Sequence, residues 1–226
     1  MKTLRRIGVV LACITLASSL VAAMLLLPPA TIDLRAMVET QMPASGVEHP
    51  VTAVLLNFRG YDTLLEVAVL LLALVGMLAG TRVERRRRAA GFHPGVPLLK
   101  TSTRMLIPLM ILVSGYLLWA GASRPGGAFQ AAAVLGGAAV LLHLARIIPA
   151  WLAPTRVHRA GVVAGLLLFL LVAALPLLGG ETLLTFPPHW AGALILLIET
   201  GLTASLGLLL AGLFLTLSDD GVEFQP

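Results

Sequence analysis

Six long apolar runs divide the chain, and the short stretches between them hold most of its charge. A helix needs roughly 20 apolar residues to cross a hydrocarbon core about 30 Å thick. Residues 7–27 meet that length with no charge at all. Residues 64–80 are slightly short and carry one carboxylate, Glu66, in their first turn. Residues 105–120 and 128–144 are separated by Ser123-Arg124-Pro125-Gly126-Gly127, and residues 161–178 and 191–217 complete the set. This pattern predicts an all-α polytopic membrane protein with about six transmembrane helices, a two-helix N-terminal unit followed by a four-helix C-terminal unit.

Composition supports the membrane and excludes other classes. Apolar residues make up 58% of the chain and charged residues 12%. A soluble fold of this size has too much surface to hide that much apolar area. The only cysteine, Cys13, lies in the first apolar run, so neither a disulfide framework nor a thiolate metal site is expected. The net charge of +5 sits in stretches between apolar runs, as in cytoplasmic loops, so no nucleic-acid partner is expected.

Loop charge also sets an orientation. With both termini in the cytoplasm, Lys2, Arg5, Arg6, Arg82, Arg85, Arg86, Arg87, Arg88, Lys100, Arg104, Arg146, Arg156 and Arg159 fall inside, and only Arg35, Arg59 and Arg124 fall outside. Thirteen against three is the bias that orients membrane proteins, and losing one span would collapse it. The first run, although preceded by Lys2, Arg5 and Arg6, is longer than a signal core needs and is expected to be an uncleaved anchor. The expected divisions are residues 1–81, a basic cytoplasmic linker at 82–104 without apolar periodicity, and residues 105–226. Residues 28–50 are expected to form a polar external loop.

No catalytic signature is present: there is no G-x-S-x-G, no phosphate-cradling glycine loop, no nicotinamide fingerprint and no His/Cys cluster at metal-ligand spacing. An enzyme, a cofactor and a metal site are therefore not expected. The candidate residues are polar groups at membrane depth. Arg59, Asp62 and Glu66 interrupt an apolar stretch, and Asp62 and Glu66 share one helix face. They make either a cap, with Thr63 and Glu66 as a capping box and Arg59 neutralising Asp62, or a titratable site just inside the hydrocarbon. Glu199 stands near the middle of the last run, on a face of small residues that includes Gly201. It is either hydrogen-bonded to a neighbouring helix or part of a proton relay. His143 precedes Arg146 at a helix C-terminus, where positive charge is favourable. The turn Pro125-Gly126-Gly127-Ala128-Phe129-Gln130 leads into a small-residue face over residues 128–139, suited to close helix packing.

Two of these stretches resemble a known family. Asn57-Phe58-Arg59-Gly60-Tyr61-Asp62-Thr63 with Glu66 is similar to the C-terminal tail of the large A subunit of Mrp-type multisubunit cation/proton antiporters, a segment that looks like a small separate subunit of membrane-bound hydrogenases. Residues 105–214 resemble the B subunit of those antiporters, whose first external turn reads P-G-G-G-F-Q; Pro125, Gly126, Gly127, Phe129 and Gln130 match, and Ala128 replaces the third glycine. The order of the two implies a fusion of A-subunit tail and B subunit. No Lys stands inside the predicted spans, and no long series of discontinuous helices occurs, so the resemblance implies an accessory subunit. Its implied partners are the lipid bilayer, other membrane subunits and, through the complex, H+ and a monovalent cation such as Na+. Its implied place is the bacterial cytoplasmic membrane. The resemblance makes Glu66, Asp62, Arg59, Glu199 and His143 candidates for the ion pathway, and Pro125, Gly126, Gly127, Phe129, Gln130 and Gly201 candidates for packing or interface. The alternatives are a membrane subunit of a redox-driven or carbon-dioxide-hydrating relative, or a scaffold that transports nothing.

Overall fold

The computed structural model describes residues 2–27, 33–84, 97–147 and 156–217. The arginine run 85–88, with the rest of the linker between 84 and 97, lies outside the described residues. Every described element is a helix or a helical turn. The chain forms two contact units, residues 1–37 and 38–226.

In the first unit, α1 (Lys2–Leu25) carries no charge from Ile7 onward, and its large hydrophobic side chains there are exposed. Its hydroxyls do not remain unpaired: Thr15 donates to the Leu11 carbonyl and Ser18 to that of Ile14. Such back-bonding lets a polar side chain sit at membrane depth without losing its hydrogen bond. The 12-residue helix α2 (Leu34–Ser45) starts where the Asp33 carboxylate accepts the N–H groups of Arg35 and Ala36. Val38, Met42 and Ser45, spaced to share one face, are half-buried or buried. The expected external stretch thus contains a helix over Leu34–Ser45.

The second unit is built around α8 (Pro188–Leu217), which packs against α4 (Gly60–Glu84), α6 (Ala128–Leu144) and α7 (Arg156–Ala174); α5 (Pro97–Ala120) packs mainly on α6. Small residues bring these axes together. A Cβ built on Gly136 of α6 would lie 3.1 Å from the Leu210 Cβ of α8, and one on Gly165 of α7 2.4 Å from the Ser205 Cβ. The small residues of α6 therefore meet α8 around Gly207, whereas Gly201 and Ser205 of α8 face α7. Hydroxyls cross the same seams: Ser114 of α5 donates to the Ala131 carbonyl of α6, and Ser205 of α8 to the Val162 carbonyl of α7. Between apolar helices in lipid, such packing and bonding replace the hydrophobic drive.

These contacts make α6 and α4 run parallel to α8, and α7 antiparallel to it. The α5–α6 turn and the starts of α4 and α8 thus share one end of the bundle, which we call the turn end. Exposed Tyr61, Tyr116, Trp119 and Trp190 ring that end, as aromatic residues do at a membrane surface.

Helix limits differ from the sequence expectation in an informative way. Five helices are long and apolar enough to cross a membrane, and the sixth, Ala128–Leu144, is a shorter apolar helix. α4 starts at Gly60 rather than at 64, and α5 at Pro97 rather than at 105. Lys100 and Arg104 consequently lie in the first turns of α5. Hydropathy marks only the hydrocarbon, whereas a helix continues into the headgroups as long as its backbone bonds hold. The capping-box reading fails for the same reason. Thr63 is inside the first turn of α4 and donates to the Leu55 carbonyl at 2.6 Å, across from a π-helical turn at Val54–Phe58. Glu66 therefore closes no box. The Arg59–Asp62 ion pair does form.

Candidate functional site

The buried carboxylate of the bundle, Glu199, sits on α8 nine residues after Trp190, about 13 Å further along the helix. The α5–α6 turn comes to it. Gly127 N–H donates to the Leu117 carbonyl at 2.8 Å, folding the turn back on the end of α5. A Cβ on Gly126 would lie 2.4 Å from that same oxygen, so the fold-back requires glycine there.

Gly127 is the N-cap of α6 and has φ +111°, and it offers no side chain to the N–H groups that begin the helix. Glu199 supplies what is missing, because its carboxylate accepts the backbone N–H of Ala128. A Cβ on Gly127 would lie 2.6 Å from Glu199 Oε1 and 3.8 Å from Gln130 Oε1. A helix N-terminus carries partial positive charge and unpaired donors, so a carboxylate here is favourable electrostatically and satisfies a donor that lipid cannot. The arrangement holds α8 to the start of α6 without a cation.

Ala128, where the family pattern has glycine, is the first residue of α6, in a conformation that accepts a Cβ. Phe129 packs against the main apolar core, and Gln130 is exposed, with Oε1 on the Gly127 side of the turn. Gly201 serves α7, since a Cβ there would lie 2.5 Å from Leu168 Cδ2.

The other candidates are placed apart from Glu199. Arg59 and Asp62 pair at the start of α4, both substantially exposed. Glu66 is exposed on α4 between exposed Leu65 and Val69, five residues and about 7 Å beyond Tyr61. No ion pair or hydrogen bond among the described residues joins it to Glu199. His143 is buried on the last turn of α6, fifteen residues and about 22 Å from Ala128. Among the described residues no group of three or more His, Cys, Asp or Glu could hold a metal ion.

Sequence reasoning missed Thr52 and Gly121. Thr52 donates to the Gly121 carbonyl, and a Cβ on Gly121 would lie 2.7 Å from Gly127 Cα. Nothing in a one-dimensional pattern marks a lone threonine in a short apolar segment.

A family model described as a domain related to the MnhB subunit of Na+/H+ antiporters matches residues 98–217, more than half of the chain. The chain belongs to this MnhB-related family. Among solved structures, the Mrp complex from Dietzia sp. DQ12-45-1b contains a chain that matches it with TM-score 0.74 and 20% identity, covering 100% of this chain and 27% of that one. The MnhB-related chain thus spans about a quarter of that relative, and the likeness includes the residues ahead of 98. A chain of the membrane-bound sulfane sulfur reductase, an archaeal respiratory membrane complex, matches with TM-score 0.72 and 24% identity over 95% of this chain and 98% of that one. At such identities the likeness is one of fold. No curated protein matches the sequence.

Proposed function

We propose that this chain is an accessory, non-enzymatic subunit of an Mrp-type Na+/H+ antiporter. It would lie in the bacterial cytoplasmic membrane with both termini inside, and pair the A-subunit tail (residues 1–81) with the B subunit (105–226) across the linker 82–104. The observation that carries the reading is the MnhB-related match over residues 98–217. Within it, the two carboxylates have different tasks. Glu199 is structural, a helix cap from a neighbouring helix. Glu66 points away from the chain's own core at a depth where a bare carboxylate is costly, and such residues face a partner or an ion route. A partner subunit covers this face of α4, and H+ or Na+ exchange passes along the contact, with the Arg59–Asp62 pair at its entrance. His143 holds a helix end and takes no part.

One observation favours a second reading. The chain matches 98% of a single chain of an archaeal respiratory complex, so a redox-driven assembly could use the same subunit. Purifying the native complex separates the two: membrane subunits alone, with Na+/H+ exchange after reconstitution, support the antiporter, and co-purifying iron–sulfur proteins support the redox reading.

Topology is tested separately. Cysteines placed near Glu48 and Ser123, both exposed at the turn end, should react with an impermeant thiol reagent outside the cell. Cysteines near Arg87 and Arg156 should not. Labelling at Arg87 in intact cells would overturn the orientation.

A further inference from the structure

We propose that residues 45–58 form a static seal over the turn end of Glu199, with Thr52 as the positioning residue that holds the seal in place. Three links lead from the segment to the carboxylate. The Thr52 hydroxyl donates to the Gly121 carbonyl; Gly121 lies so close to Gly127 that a Cβ would come within 2.7 Å of its Cα; and Gly127 lies just as closely against Glu199 Oε1. Beside these links, the Glu48 and His49 N–H groups both donate to the Ala122 carbonyl, at 3.3 and 3.1 Å. The segment thus bonds to both of the first two residues of the α5–α6 turn, of which Gly121 is buried.

Its ends are held as firmly. At one end Gly46, with φ +69°, fits against the first turn of α8, where a Cβ would lie 2.5 Å from the Pro188 carbonyl oxygen and 2.6 Å from the Ala191 Cβ. At the other end Thr63 grips the Leu55 carbonyl. Asn57 closes the segment on itself by donating to the Ser45 carbonyl at 2.8 Å. Thr52, Ala53 and Leu56 are buried.

Segments that open in the course of function have few buried contacts and exposed backbone bonds. This one has the opposite character, so it closes the turn end permanently rather than gating it. Glu199 then has no access to the solution at that end, whatever the complex transports. The same contacts fasten a segment that precedes residue 98 to the turn inside the MnhB-related region, so the seal also joins the two parts of the chain.

Two measurements on the full chain in its native complex test this. In hydrogen–deuterium exchange on the wild-type protein, the amides of residues 46–58 should stay protected for hours; exchange within seconds would show a moving lid and overturn the proposal. In a Cys13→Ser background, a probe cysteine at Ala128→Cys should resist an impermeant methanethiosulfonate added at the turn end. It should resist equally with Thr52→Ser, which keeps the hydroxyl. Thr52→Val should speed labelling about tenfold, the scale of one lost buried hydrogen bond. Rapid labelling without any change at Thr52, or equal rates in the Val and Ser variants, would refute the positioning role. If the Val variant fails to accumulate, the exchange measurement on wild-type protein decides alone. Neither readout depends on transport.

Discussion

Two carboxylates beyond the first turn of their membrane helices, Glu199 on α8 and Glu66 on α4, are treated in opposite ways. On α8, Glu199 is turned into the bundle, where a glycine turn is shaped around it and the start of α6 gives it a hydrogen-bond donor. On α4, Glu66 is turned out between exposed apolar side chains, and no hydrogen bond or ion pair holds it among the described residues. A carboxylate inside the hydrocarbon is costly in both cases, more so for Glu199 at its greater depth. Their neighbours decide what that cost serves. In the proposed reading, the carboxylate whose needs are met inside the chain is a structural part, and the one facing outward meets a partner.

The sharpest way to break this contrast is at Gly127. Alanine there combines a positive φ with a contact of 2.6 Å to Glu199 Oε1, and should cost more than about 2 kcal/mol. The expected result is strongly reduced accumulation in the membrane, or a much lower melting temperature of the purified complex. Wild-type stability would mean that Glu199 does not occupy the turn. By contrast, Ala128→Gly should accumulate normally, because position 128 accepts a side chain.

Next in size is Glu199→Ala, which leaves the first N–H groups of α6 without an acceptor and should cost about 1–2 kcal/mol, the range of a lost N-cap. Glu199→Gln keeps an oxygen that can accept from Ala128 and should cost less than the alanine. Equal losses in the two, measured by thermal denaturation of the same complex, would count against the capping role.

The smallest effect is expected at the exposed Arg59–Asp62 pair. Arg59→Ala should change stability by about 0.5 kcal/mol or less, as surface ion pairs do. A rate of ion exchange that becomes more salt-sensitive in this variant, with stability unchanged, would place the pair at the entrance of the route.

Much of the architecture was legible in the sequence because lipid leaves few choices, and apolar length gives the helices. The glycines at 126 and 127 and the carboxylate at 199 also stood out singly. That they form one object was not legible, because 72 residues separate Gly127 from Glu199 and no spacing rule connects them. Nor was it legible that the small residues of α6 and α8 are used against neighbouring helices of the same chain, Gly136 and Gly207 between α6 and α8, Gly201 and Ser205 against α7. Each face had the composition of a docking surface, and only the packing of these helices shows that both are used inside the chain. Composition left the structure of the external stretch 28–50 open, and its polar residues conceal a helix over Leu34–Ser45. There the Asp33 cap and the stripe of Val38, Met42 and Ser45 count for more than mean polarity.

The most direct test of the contrast is to measure assembly and Na+/H+ exchange together in Glu66→Gln and Glu199→Gln. Both substitutions preserve size and hydrogen-bonding capacity while removing the charge. With Glu66 on the ion route and Glu199 a cap, the Glu66 variant should assemble at wild-type levels and exchange ions at least about tenfold more slowly, the effect of roughly 1.4 kcal/mol on the rate-limiting barrier. The Glu199 variant should exchange at nearly the wild-type rate once its amount in the membrane is matched. Normal exchange in Glu66→Gln, with lost exchange in a fully assembled Glu199→Gln complex, would contradict the account.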